Sequence, residues 1–236
     1  MTKNKKRTFL AKMRRWLVSL LLVWLVVSLS SVLALRWLDP PTTAFMLQRQ
    51  YSSEYETIRL QYLWRDMSQI SPQLSMSVIA SEDQKFADHW GFDVGAIEQV
   101  IKDRQAGKKM RGASTISQQL AKNLFLWSGR SWVRKGLEVY FTTAIEAIIP
   151  KQRILELYLN VVEFGDGVYG AEAAAQSIFG VDAKSLDANQ AALLAARLPA
   201  PKRYQIKPPS DYMQQRARWI QKQAKQLGGE DYLYKL

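Results

Sequence analysis

No cysteine occurs in the 236 residues, and histidine occurs once, at position 89. The first absence excludes disulfides and thiolate metal sites, and the second excludes a centre built on several imidazoles. The phosphate-binding fingerprint GxxxxGK is absent, and although Gly165, Gly167 and Gly170 fall at GxGxxG spacing, no alternating strand leads into them, so the run Gly165, Asp166, Gly167, Gly170 reads as a turn. No stretch alternates apolar and polar residues as a half-buried strand does, and no internal repeat stands out, which leaves a mainly helical domain. The length holds one domain of ordinary size plus an anchor, with no room for a second large catalytic domain. Acidic residues are also scarce: 21 against 33 Lys and Arg, a formal charge of +12. Such an excess suits an anionic partner: nucleic acid, membrane headgroups or a phosphorylated substrate.

The longest uncharged run narrows that choice. Trp16 to Leu35, WLVSLLLVWLVVSLSSVLAL, is twenty residues without a charge, and at about 1.5 Å per residue it spans a hydrocarbon core of roughly 30 Å. Lys3, Lys5, Lys6, Arg7, Lys12, Arg14 and Arg15 precede it, a cluster held on the cytoplasmic side while the following chain is exported. The alternative is a signal peptide cleaved near Val32, Leu33 and Ala34, but a signal h-region is only about 7 to 15 residues long. The organisation expected is therefore a cytoplasmic basic tail (1–15), a transmembrane anchor (16–36), a linker and membrane-proximal segment stiffened by Asp39, Pro40 and Pro41 (37–70), and a catalytic domain (71–236) outside the cytoplasm. Nucleic acid is not expected as a partner there; membrane lipids and a phosphorylated lipid are.

Helix signals then follow in order. Ser71 and Pro72 open a helix carrying Leu74, Val78 and Ile79 inward and delivering Glu82 and Asp83 at its end. Asp93 starts another with Ile97, Val100 and Ile101 on one apolar face, before a basic loop with Lys108, Lys109 and Arg111. Thr115 and Gln118 form a capping box. The helix beyond carries Ile116, Leu120 and Leu124 in one stripe, with Gln118 and Lys122 on one face and Gln119 and Asn123 on its neighbour. Leu124 to Trp127 and Trp132 are expected to touch the bilayer in part. Val133, Leu137, Phe141, Ile145 and Ile148 mark a buried helix bearing Arg134, Lys135, Glu138 and Glu146. Pro150 opens the next, with Ile154, Leu155, Tyr158, Leu159 and Val162 as its core face. An alanine-rich helix ends at Gly180, Asp187 with Gln190 caps another, and the last runs from about Ser210 to Gly228.

The chemistry concentrates in VIASEDQKFADHWGFD and GASTISQQLAKN. An acid at the end of an apolar helix, followed by Phe86, His89 and Trp90, is partly desolvated, which raises its pKa toward the range useful for proton transfer. Lys122, Arg130, Arg134 and Lys135 flank the polar helix, and a cationic cluster is what a leaving pyrophosphate requires. His89 is expected to be a structural hydrogen-bonding group.

EDQKFADHWGFD, GASTISQQLAKN, RKGLE, ILELYLN with GDGVYGAEAAAQSIFG, and AALLAARLPAPKRY resemble, in order, the five motifs of the peptidoglycan glycosyltransferases of glycosyltransferase family 51, the transglycosylase domain of the penicillin-binding proteins. They cover Val78 to about Tyr204, and the short length is similar to that of the monofunctional biosynthetic members. The resemblance implies a mainly α, lysozyme-like two-lobed domain behind one transmembrane helix, with lipid II and the growing lipid-linked glycan strand as substrates. It implies Glu82 as the general base on the acceptor sugar's 4-hydroxyl and Glu138 as a second essential carboxylate near the donor pyrophosphate. Ser114, Gln119, Lys122 and Arg134 match positions that grip phosphates and sugars, and Asn123, Arg130 and Lys135 are added to them. Gln205 and Ile206 depart from the Asn-Pro that many relatives carry, which weakens the end of the last motif. No cofactor is called for; a divalent cation, Mg2+ or Mn2+, on the pyrophosphate is left open, because fixed Lys and Arg do part of that work. Other cell-wall synthesis proteins are conceivable partners. The competing readings are a lytic or hydrolytic lysozyme-like enzyme, which needs no pyrophosphate clamp, and an inactive membrane-anchored scaffold.

Overall fold

A computed structural model of the chain describes residues 2–51, 59–107, 112, 114–129 and 131–236. The apolar run forms helix α1 (Thr2–Ala34), of which Phe9–Ala34 is long and apolar enough to cross a membrane. Its outer turns do not stand free. Ser28 and Val32 are buried, Ser28 Oγ lies 2.8 Å from Tyr140 Oη, and the Trp24 and Tyr140 rings are 5.0 Å apart. Beyond the helix, Arg153 donates to the carbonyls of Leu35 and Leu38 and to Asp39, which fixes the chain as it leaves α1.

The segment 37–70, expected as a linker, carries structure of its own. Helix α2 (Ala44–Tyr51) begins where Thr43 Oγ1 accepts from Met46 N, and strand β1 (Gln61–Tyr62) follows. Asn160, fully buried, accepts from the Arg65 amide and donates to the Arg65 carbonyl, so residues 59–70 are tied into the domain.

Helix α3 (Pro72–Glu82) starts at the expected proline, but Ser71 does not cap it; its hydroxyl donates to Leu186 O instead. Helix α4 (Val94–Gln105) is capped by Asp93, α5 (Ile116–Phe125) by the Thr115 and Gln118 capping box, and α6 (Trp132–Ile148) by Ser131. Then come α7 (Lys151–Val161), β2 (Glu163–Gly165), β3 (Val168–Tyr169) and α8 (Ala171–Ala174), the last running into a π turn that ends at Gly180 in the left-handed conformation. Helix α9 (Ala188–Arg197), with the expected Asp187 and Gln190 capping box, and α10 (Asp211–Gln226) complete the order.

Two helical groups result. Helices α3, α9 and α10 pack on one another, and α5 packs on α6 and α7. Leu74, Val78, Ile79, Ile116, Leu120, Ile145, Ile154, Tyr158, Leu194 and Ile220 are all fully buried between them. The fold is mainly helical, as expected, yet it includes a small sheet that the sequence did not reveal: order β1-β3-β2, β1 parallel and β2 antiparallel to β3. Within the glycine run, Asp166 and Gly167 make the β2–β3 turn. Gly170 lies between β3 and α8 at φ +85°, where a Cβ would stand 2.5 Å from Asn160 O, so only glycine fits.

Two expected apolar faces are not buried along their whole length. On α4, Ile97 and Ile101 are exposed, Ile101 by 51%, because no helix of the domain covers that stripe among the described residues. On α6, Val133 is exposed while Phe141 and Ile145 are buried, since the first turn projects past the helices it packs on. Trp127, Trp132 and Trp90 are exposed as well, Trp132 by 92%, whereas Leu124 and Leu126 are core.

Candidate active site

The site forms where the two helical groups meet. Helix α3 ends at Glu82 because Asp83 leaves helical geometry, and Asp83 is then used as a clamp. Its buried carboxylate accepts from the backbone N of Ile116, at 3.0 Å, and from His89 Nε2, at 2.9 and 3.1 Å. His89 Nδ1 accepts from Gly91 N, so the imidazole is held as the Nε2–H tautomer, the structural role expected of it. Gly91 sits at φ +82°, and a Cβ there would meet Thr142 and Glu146 on α6 at 2.7 and 2.9 Å. The end of α3 is thereby bolted to the start of α5.

This clamp sets Glu82 against Gln119. Gln119 Nε2 donates to Glu82 Oε2 at 2.9 Å, Ser81 Oγ donates to Glu82 Oε1 at 3.2 Å, and the phenol of Tyr158 donates to Gln119 Oε1 at 2.9 Å. Burial pushes the Glu82 carboxyl above its ordinary value; the bonds from Gln119 and Ser81 and the charge of Arg216 oppose that rise, and neighbouring Asp83 adds to it. Tyr158, fully buried, is raised well above the usual phenol value, again by burial first, so it remains a donor.

One turn along α5, Lys122 is half-buried. Burial pushes its ammonium below its ordinary value; Glu138 and Glu82 pull the other way, and Arg134 and Lys135 push with burial. Those four groups therefore share the cleft with it. Glu138 is buried on α6, one oxygen 3.2 Å from Arg134 Nη1 and the other bonded to Lys135 Nζ. Arg134 Nε is buried and makes no hydrogen bond within the described residues. Asn123 is buried on α5, and Ser114 stands exposed just ahead of that helix. Arg130, and the basic loop of Lys108, Lys109 and Arg111, lie outside the described residues.

Of the expected site residues, Glu82, Gln119, Lys122, Arg134, Lys135 and Glu138 are brought together. The reading of the sequence missed three contributors. The Tyr158 hydroxyl was legible in principle, since a tyrosine on a wholly apolar face needs a partner for its oxygen. Arg216 on α10, stacked over Trp219 at 4.1 Å, carries no signal among the other charges of its helix. Phe45 on α2, whose ring centre is 5.7 Å from Lys122 Nζ, falls in the supposed linker.

A model of the transglycosylase family matches residues 50–225, from the end of α2 to the last turn of α10, and takes in every residue of this cleft except Phe45. The chain belongs to the transglycosylase family. A biosynthetic peptidoglycan transglycosylase of Stutzerimonas stutzeri is 55% identical over 222 residues, 93% of this chain and 92% of the relative. One from Shewanella oneidensis is 52% identical over 213 residues, 90% of this chain and 91% of its own. A third, from Xanthomonas campestris, is 51% identical over 222 residues, 93% and 90% of the two chains. In this transglycosylase the described residues include no group of three or more His, Asp or Glu able to hold a metal ion; Glu138 has both oxygens engaged by Arg134 and Lys135.

Proposed function

We propose that this transglycosylase polymerises lipid II into β-1,4-linked glycan strands, transferring the growing lipid-linked strand onto the 4-hydroxyl of the incoming unit. Family membership supports peptidoglycan glycosyl transfer. The observation that carries the mechanism is the placement of Glu82 in one cleft with the cationic group around Glu138. A sugar hydroxyl is a poor nucleophile, and a carboxylate of raised pKa accepts its proton as the new bond forms, which contributes about 10² to 10⁴ in rate. Glu82 takes that proton. The oxygen attacks the anomeric carbon from the face opposite the pyrophosphate, the configuration inverts, and undecaprenyl pyrophosphate leaves with the bonding pair.

Lys122, Arg134 and Lys135 meet the charge that develops on the leaving group. Glu138 holds the two α6 cations in register. These fixed cations serve without a resident cofactor; a divalent cation, if used, arrives with the pyrophosphate. Ser114, Asn123 and Arg130 complete the sugar and phosphate contacts. The anchor holds the cleft beside the cytoplasmic membrane, with the basic tail inside and the domain on the periplasmic face. The exposed Trp90, Ile101, Trp127 and Trp132 meet the lipid from which the substrate is drawn.

The test is conversion of labelled lipid II by the purified protein in detergent, with Glu82→Gln alongside. Polymer from the wild type and none from the variant is expected; cut glycan strands in place of polymer would replace this reading with a lytic one.

A further inference from the structure

We propose that Phe45, on the short helix between the membrane anchor and the domain, is a positioning residue for Lys122: its ring face holds the lysine ammonium in the cleft beside Glu138 and Arg134. The Phe45 ring centre lies 5.7 Å from Lys122 Nζ, inside the roughly 6 Å within which an aromatic face attracts a cation. Phe45 precedes the residues matched by the family model, 50–225, so nothing in the family's description covers it.

The placement of the ring is over-determined. Helix α2 is capped by Thr43 and buries Met46, at 1% exposure, in the core. Gln48 grips the far end of α5 with both ends of its amide, donating to Leu126 O and accepting from Ser128 N, each at 2.9 Å. Arg49 forms a salt bridge to Asp166 in the β2–β3 turn. Helix α2 therefore bridges from α5 to the hairpin, and Phe45 on its first turn has little freedom to leave Lys122. A lysine on a four-carbon stem has rotamer freedom that a pyrophosphate clamp must lose. An aromatic face removes that freedom before substrate arrives and keeps water away without taking up a hydrogen-bonding position. The sites of attraction differ in kind: Glu138 already answers Arg134 and Lys135, while the ring serves Lys122.

The inference rests on the reading that Lys122 serves the reaction, and the experiment separates the two. Steady-state kinetics with lipid II are measured across pH for the full-length wild type, Phe45→Ala, Phe45→Leu, Phe45→Tyr, Phe45→Trp and Lys122→Gln, each with a thermal melt. Phe45→Ala is expected to lower kcat by about tenfold with a smaller change in KM. Phe45→Leu, apolar but without a ring face, falls toward Ala, and Phe45→Tyr and Phe45→Trp restore kcat. Loss of melting temperature in Phe45→Ala with kcat unchanged overturns the proposal, as does equal damage from Tyr, Trp and Ala in folded protein. If Lys122→Gln polymerises like the wild type, the role of Lys122 fails and this proposal with it; if Lys122→Gln is inactive and Phe45→Ala normal, only the role of Phe45 fails.

Discussion

Gln119 donates to Glu82 across 2.9 Å from a carboxamide whose orientation is set on its other side by Tyr158. An ionised carboxylate only accepts, so Nε2 must face Glu82, and Oε1 is left for the phenol of a buried, protonated tyrosine. Tyr158→Phe preserves the burial and removes the donor. It is expected to leave melting within a few degrees and to lower kcat several-fold, about 1 kcal/mol for one neutral hydrogen bond. Gln119→Ala deletes a bond to the charged form of Glu82, so the carboxyl rises further and the acid limb of kcat/KM moves to higher pH. An acid limb unchanged in Gln119→Ala would remove Glu82 as the group that titrates.

Glu82→Gln separates activity from stability. Burial raises the folded-state pKa of Glu82, so its charged form costs the fold stability, and acidification through that raised value stabilises the native state. The neutral amide is therefore expected to keep or raise the melting temperature at pH 7 while lowering turnover by about 10² to 10⁴. The same melts at a pH below the Glu82 value should show the difference between wild type and variant shrinking. A variant that melts well below the wild type at neutral pH contradicts this account.

The Arg134, Lys135 and Glu138 group distinguishes polymerisation from strand cleavage. A pyrophosphate leaving group needs the cations and a cleaved glycan does not, so Arg134→Gln is expected to reduce turnover of lipid II by about 10² to 10³. Glu138→Gln leaves Arg134 and Lys135 without their shared anion. Lys135 is 44% exposed, so solvent softens the stability loss, and the larger effect should be on kcat. A paired assay on lipid II and on preformed strands reads this out: loss confined to the first supports the leaving-group role.

Local signals in the sequence proved the most legible, because they depend on three or four neighbouring residues. The capping boxes at Thr115 and Asp187, the stop at Gly180 and the start at Pro72 all fall where the residues place them. Ser71 shows the limit of such signals, since a carbonyl from distant Leu186 takes its hydroxyl. Periodicity marked the apolar stripe of α4 but not whether anything covers it, for that depends on the paths of other helices. Strands of two or three residues are too short to show alternation, so β1, β2 and β3 were invisible. The acid, the amide helix and the cations of the site were legible as residue types at helical spacing. Of their supports, Arg216 and Phe45 come from elements far off in sequence and carry no local signal, and the Tyr158 hydroxyl shows that it needs a partner but not that the partner is Gln119.

Helix α1 is expected to contribute to the stability of the domain. Trp24 meets Tyr140 and Phe141 at 5.0 and 6.4 Å, Phe141 stacks on Phe125 at 4.3 Å, and Val32 and Leu35 are buried against the domain. Deleting residues 2–35 uncovers that aromatic group on α6, the helix that carries Arg134 and Glu138, and removes the Leu35 carbonyl that Arg153 holds at 3.0 Å. The truncated domain is expected to melt several degrees lower than the full chain in the same detergent and to self-associate when detergent is withdrawn, as an exposed apolar patch does. Within the full chain, Tyr140→Phe keeps the ring and loses the bond to Ser28, which should cost about 0.5 to 1.5 kcal/mol. Trp24→Ala should cost more, because it removes the aromatic contact itself. A truncated domain that stays monodisperse without detergent and melts with the full chain would show that α1 adds nothing to the stability of the domain.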